Sequence, residues 1–284
     1  MNEMRAACRL NIPELFDLPD AGLDDAGVDG AGNLLISDGS TGRVYKISPD
    51  NEFDMFPVIR SVGPGEKESS LNIAVGPDSS FCLADAWRET VIRYGPSGEY
   101  LGEFSVPGAL TICRGPDCLY ALCTLEDGEV IGVYDEFGFP MDILPAPPRQ
   151  RGRLDPSIVS MDCDPAGNVY ISYGVPPYQI WKVTADGLQT WGQDTDYPDS
   201  AILIADIAVD QAAGTLWALL ACRTSGRQIV DAFTLHGEFL GARAIPHSEP
   251  LYGVICPAGN CGLYLIDTGT GPASGEVLRV VEDN

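Results

Sequence analysis

AGVDGAGNLLISD, residues 26–38, reads as an apolar strand, a turn made of Asp and Gly, and a second apolar strand that stops at an acidic residue. Short apolar runs and alternation bounded by Gly, Asp and Asn are strand and turn chemistry, not a helical period. The arrangement returns five times, as IAVGPDSSFCLAD (73–85), ICRGPDCLYALC (112–123), MDCDPAGNVYISY (161–173), IAVDQAAGTLWALL (207–220) and GVICPAGNCGLYLID (253–267). Aligning the turn residues Asp29, Gly76, Gly115, Asp164, Asp210 and Cys256 gives steps of 47, 39, 49, 46 and 46 residues. That interval suits a unit of four antiparallel strands, the blade of a β-propeller. The chain is therefore expected to be all-β, a six-bladed β-propeller of four-stranded antiparallel blades forming a single domain over residues 1–284.

The blades are expected near 21–60, 69–106, 108–145, 157–193, 202–245 and 250–284, with residues 1–20 as closure strand and lead-in. Fourth strands are visible in EFDMFPVI (52–59), EYLGEFSV (99–106) and EFLGARAI (238–245). The last unit lacks one, because EVLRVV (276–281) is followed by only three residues. The apolar stretch AACRLNIP (6–13) has no other partner and is expected to complete the last blade. Such closure removes two open sheet edges that would template aggregation.

The repeat resembles that of the NHL-repeat propellers, with an Ile-Ala-Val-Asp strand, a Gly-Asn turn and a strand ending in Asp. Matching residues are Val28, Asp29, Gly32, Asn33 and Asp38 in the first unit, Ile73, Ala74, Val75 and Asp85 in the second, Ile207, Ala208, Val209 and Asp210 in the fifth, and Gly259, Asn260 and Asp267 in the sixth. Units three to five depart from the pattern at the second-strand Asp, where Cys123, Tyr173 and Leu220 stand. The resemblance implies a binding platform, usually for protein, sometimes for RNA, and occasionally a lyase or hydrolase.

Charge narrows that list. With 41 acidic and 17 basic residues the formal net charge is −24, which opposes a polyanion and leaves nucleic acid as an unexpected partner. No apolar run approaches a membrane span, and the first twenty residues lack a basic segment followed by a hydrophobic core, so a soluble, cytoplasmic protein is expected. Nine cysteines without CxxC spacing point to reduced, buried thiols. Cys113 with Cys118, and Cys256 with Cys261, straddle hairpin turns and are the pairs to examine for a bridge.

Propeller geometry places the start of each innermost strand at one mouth of the central channel. The residues there include Asp25, Asn72 and Asp206, and Asp162 follows two positions further along its strand. These hard oxygen donors are candidate ligands for calcium or magnesium. In position they resemble the metal site of the senescence-marker/gluconolactonase propellers. The competing expectation is that they hydrogen-bond backbone and ordered water. The recurring second-strand aspartates Asp38, Asp85 and Asp267 are expected to fix the following hairpin.

The same face carries the variable loops. Trp87 and Arg88 sit in one hairpin, Tyr178 in another, and Arg149, Arg151 and Arg153 in the Pro-rich connection 145–156, all residue types that anchor interfaces. Acid–base chemistry has little to draw on. Only His236 and His247 exist, and His247 alone is placed to act as a base at this face. The expected function is thus a non-enzymatic platform for a protein or peptide. The alternative is a divalent-metal-dependent hydrolase or lactonase at the channel mouth.

Overall fold

The computed structural model describes residues 2–16, 22–57, 70–148, 159–173, 179–191, 202–222, 227–245, 252–259, 262–269 and 275–282. A long strand, β1 (Asn2–Asn11), and a single helical turn, α1 (Ile12–Phe16), open the chain. Blade one comprises β2 (Leu23–Val28), β3 (Leu34–Asp38), β4 (Arg43–Ile47) and β5 (Phe53–Pro57). Blade two comprises β6 (Leu71–Val75), β7 (Phe81–Asp85), β8 (Thr90–Tyr94) and β9 (Tyr100–Ser105). Blade three is β10 (Ala109–Arg114), β11 (Leu119–Leu125), β12 (Gly128–Tyr134) and β13 (Pro140–Pro145). Blade four is β14 (Val159–Cys163), β15 (Val169–Tyr173), β16 (Ile180–Thr184) and β17 (Gly187–Trp191). Blade five is β18 (Ile202–Asp210), β19 (Thr215–Cys222), β20 (Gln228–Thr234) and β21 (Phe239–Ala244), and blade six begins with β22 (Val254–Pro257), β23 (Gly262–Ile266) and β24 (Glu276–Glu282).

Each blade is an antiparallel meander, and the innermost strands β2, β6, β10, β14, β18 and β22 contact one another in sequence until β22 meets β2 again. The ring is closed. Its closure is made by β1, which runs antiparallel to β24 from Met4 opposite Glu282 to Asn11 opposite Glu276. At its start β1 also pairs in parallel with β21, Asn2 opposite Arg243 and Glu3 opposite Ala244, so it stitches blade five to blade six. The expected closure strand is therefore present and begins earlier, at Asn2. It ends at Asn11 because the Asn11 side chain accepts the Glu14 N–H at 3.3 Å and Pro13 follows in the first turn, a helix-start arrangement that the strand reading of residues 12 and 13 overlooked.

Buried side chains gather in six clusters among the described residues, one at each seam between adjacent blades. Second strands form the middle of the stack: β3, β7, β15 and β23 are buried at every position. The outer strands lie in solvent, as in β13 with Met141 and Ile143 exposed. At three seams the hairpin entering the outer strand is held against the previous blade. Gly138, at φ +86°, leaves room for the Phe104 ring of blade two, and a Cβ there would come within 2.2 Å of it. Gly98 against Phe56 and Gly237 against Trp191 repeat the contact at other seams.

Two turns carry one polar network in duplicate. The Asp29 carboxylate accepts the Ala31 and Asn33 N–H groups and the Asn33 amide, and Asp164 does the same with Ala166 and Asn168. Asp38 is fully buried and accepts from the Ser40, Thr41 and Tyr45 hydroxyls and the Thr41 N–H, fixing the hairpin after β3. Cys113 and Cys118 are both free thiols. Cys113 lies opposite Tyr120 in the ladder, and its thiol meets Cys163 of the next blade instead of Cys118. Cys261 lies outside the described residues.

Candidate functional site

At a propeller hub the innermost strands of neighbouring blades face each other without a ladder between them, so backbone N–H groups there need other acceptors. Short carboxylates supply them. A register shift between Leu23 and Asp25 sets Asp24 out of the β2–β3 ladder, and its Oδ2 accepts Gly39 N–H at 2.6 Å and Leu71 N–H at 3.1 Å. Asp25 accepts Ala26 N–H at 2.8 Å on one oxygen and Ile73 N–H of blade two at 2.9 Å on the other. Asp162 accepts Cys163 N–H and, from blade five, Val209 N–H, each at 2.7 Å. Asp206, placed after a similar shift in β18, accepts Ile207 N–H at 2.9 Å, Ile255 N–H of blade six at 2.8 Å and the Ser160 hydroxyl of blade four. Each side chain ties the start of one blade to the next.

Burial dominates the electrostatics of these groups. It pushes Asp25 up to about 8, with the Asp206 charge as the next contributor, and the bonds from Ile73 and Ala26 pull it back. Asp206 rises to about 7, and Asp162 and Asp24 to about 6, all chiefly by desolvation. The buried Cys256 thiol is raised well above its usual range by burial and by the charges of Asp206, Asp25 and Asp162, which places the three carboxylates around one region. The cluster can hold protons near neutral pH. Among the described residues no group of three or more His, Cys, Asp or Glu side chains is arranged to hold a metal ion. Asn72 is half-buried on β6, at the same level of the hub.

On the channel-mouth face Trp87 is 67% exposed in the turn between β7 and β8. That turn is fixed by Arg88 N–H on Asp85 at 3.1 Å and Val106 N–H on the Glu89 carbonyl at 2.8 Å. Arg88 is half-buried, with Nη1 enclosed and unpaired among the described residues. Tyr178, Arg149, Arg151, Arg153 and His247 lie outside the described residues. His236 is exposed in the turn between β20 and β21, on the opposite face.

The opposite face also holds a pocket that sequence reading missed, about 370 Å³ at the seam of blades two and three. Cys82, Arg93, Leu101, Arg114, Phe137 and Met141 are among its lining residues. Its sequence signal is an arginine set in each of two otherwise apolar strands, TVIRY and ALTICR.

No family model matches the chain, and no curated protein does. Solved structures do. Regucalcin from Agrobacterium tumefaciens, described as a calcium-binding protein, superposes with a TM-score of 0.64 at 13% identity, covering 99% of this chain and 96% of that one. Virginiamycin B lyase from Staphylococcus aureus gives 0.59 at 14% identity over 93% of this chain and 82% of the lyase. The WD40 repeats of RRP9 give 0.59 at 12% identity over 99% and 100%. Likeness at this identity is one of fold, and with the closed ring described above it marks the chain as a six-bladed β-propeller.

Proposed function

We propose that the chain is a non-enzymatic propeller that binds a protein or peptide on its channel-mouth face. The supporting observation is Trp87, a large aromatic 67% exposed on a turn whose backbone is pinned at both ends. A rigid, amphipathic ring held out in this way gives contact area at small entropic cost, which is how interface anchors work. Arg88 beside it would add directional donors. The hub carboxylates support the same reading, because both oxygens of Asp25, Asp162 and Asp206 already accept N–H groups.

The test is affinity capture from native extract with the wild-type chain and with Trp87→Ala. A partner recovered by the first and lost by the second, at equal melting temperature, supports the platform. Equal recovery removes it. The metal-dependent hydrolase or lactonase would need Asp25, Asn72, Asp162 and Asp206 as ligands, and a calcium or magnesium titration followed by calorimetry separates the two readings. A melting temperature that rises with metal concentration favours the hydrolase.

A further inference from the structure

We propose that the pocket between blades two and three binds a small organic monocarboxylate with an apolar aryl or alkyl body. The site lies opposite the face that carries Trp87 and is independent of the platform reading. Its volume, about 370 Å³, falls within the roughly 300–1,000 Å³ typical of small-ligand sites.

Two guanidinium groups give it an anion-seeking floor. Arg93 stands opposite Cys82 in the β7–β8 ladder, and Arg114 closes β10. Both are half-buried. Both line the pocket together with Cys82, Arg93 from blade two and Arg114 from blade three. Arg114 donates to the Ser80 hydroxyl, and its carboxylate neighbour Asp78 is 3.9 Å away with its side chain 61% exposed. Arg93 has no carboxylate partner among the described residues and rests over the Phe137 ring at 5.6 Å. In a chain of net charge −24 carboxylates are abundant, yet this guanidinium carries none among the described residues and keeps its donors open to an anion. A bound anion completes it.

The walls select the rest of the ligand. Leu101, Phe137 and Met141 are 51%, 62% and 63% exposed, an apolar surface contiguous with the floor that nothing in the chain covers among the described residues. At the rim stand the exposed Asp117 and Glu136, while Asp135 is engaged by the Phe137 and Phe139 N–H groups at 2.9 and 2.8 Å. Rim carboxylates repel a multiply charged phosphate more strongly than a single carboxylate. The combination of cationic floor, apolar wall and acidic rim therefore favours one negative charge on an apolar body.

The experiment is isothermal titration of the full chain with 3-phenylpropionate, its neutral analogue 3-phenylpropan-1-ol, and inorganic phosphate. The expected result is saturable binding of the carboxylate, with the alcohol and phosphate weaker by about tenfold or more. Arg93→Gln should weaken the carboxylate by about tenfold, the loss of a charge-assisted contact, and Phe137→Ala should weaken it several-fold, each with wild-type circular dichroism. Should Arg93→Gln fail to fold, Arg114→Gln carries the same expectation. Absence of saturable carboxylate binding, equal affinity for the alcohol or for phosphate, or unchanged affinity in the folded arginine variant would each overturn the proposal.

Discussion

Raising the pH from about 5 to about 9 should loosen the hub, and the buried carboxylates set how much. Asp25 moves from 3.8 to about 8 on folding, so between those values the native state holds a proton that the unfolded chain has released. Stability from this group is fully present below about pH 4 and is lost as pH rises through about 8. At about 1.4 kcal/mol per unit, the loss from Asp25 alone is on the order of 5 kcal/mol. Asp206, at about 7, adds less than its own shift suggests, because its charge is part of what raises Asp25. Asp162 and Asp24, both near 6, lose their share earlier in the interval. Asp29, Asp78 and Asp164 are lowered and act below pH 4, outside it, while Cys256 stays protonated throughout. The assay is urea unfolding at fixed pH values with the midpoint as readout. General repulsion from the net charge also grows with pH, but about 1 M salt shortens the screening length to about 3 Å and suppresses it, leaving the buried component. Asp25→Asn should flatten the profile while costing about 1–3 kcal/mol at pH 5, since one amide oxygen cannot serve both Ala26 and Ile73 N–H groups. Glu103→Gln, on the exposed outer strand β9, should keep the wild-type slope. A midpoint that is flat or rising to pH 9 in high salt, or an unaltered slope in Asp25→Asn, refutes the reasoning.

Three further outcomes follow from the closure and the seams. Met4→Ala, at a side chain 3% exposed among Trp217, Leu219, Val230 and Leu263, should cost about 2–5 kcal/mol by calorimetry, and deletion of residues 1–13 should yield insoluble or non-cooperative protein by leaving the edges of β21 and β24 open. Gly138→Ala should lower the melting temperature by an amount equivalent to roughly 2–4 kcal/mol, because it combines a left-handed backbone with a 2.2 Å approach to Phe104.

The ring was legible because a repeat is counted, not inferred: six copies of strand, turn and strand at near-constant steps leave few other architectures, and the missing fourth strand of the last unit pointed to residues 6–13 as its donor. Asp25 and Asp206 were also visible as polar residues where apolar strands begin. Their use was not, because whether a carboxylate faces the channel or the next blade depends on the register shifts in β2 and β18, which no local pattern encodes. The pocket was hidden for a related reason. Arg93 and Arg114 lie on different blades, and only the seam brings them to the same pocket. The α1 turn was lost to apolar residues that suit strand and helix alike, with Asn11 and Pro13 as its cues.

β1 pairs with β24, the last strand described, so a join between strands remote along the sequence holds the circle shut. During synthesis β1 must wait for β24, and the ring stays unsealed until that strand emerges. Contacts so remote along the sequence form slowly, and the waiting segment is the one most in need of shielding from other nascent chains.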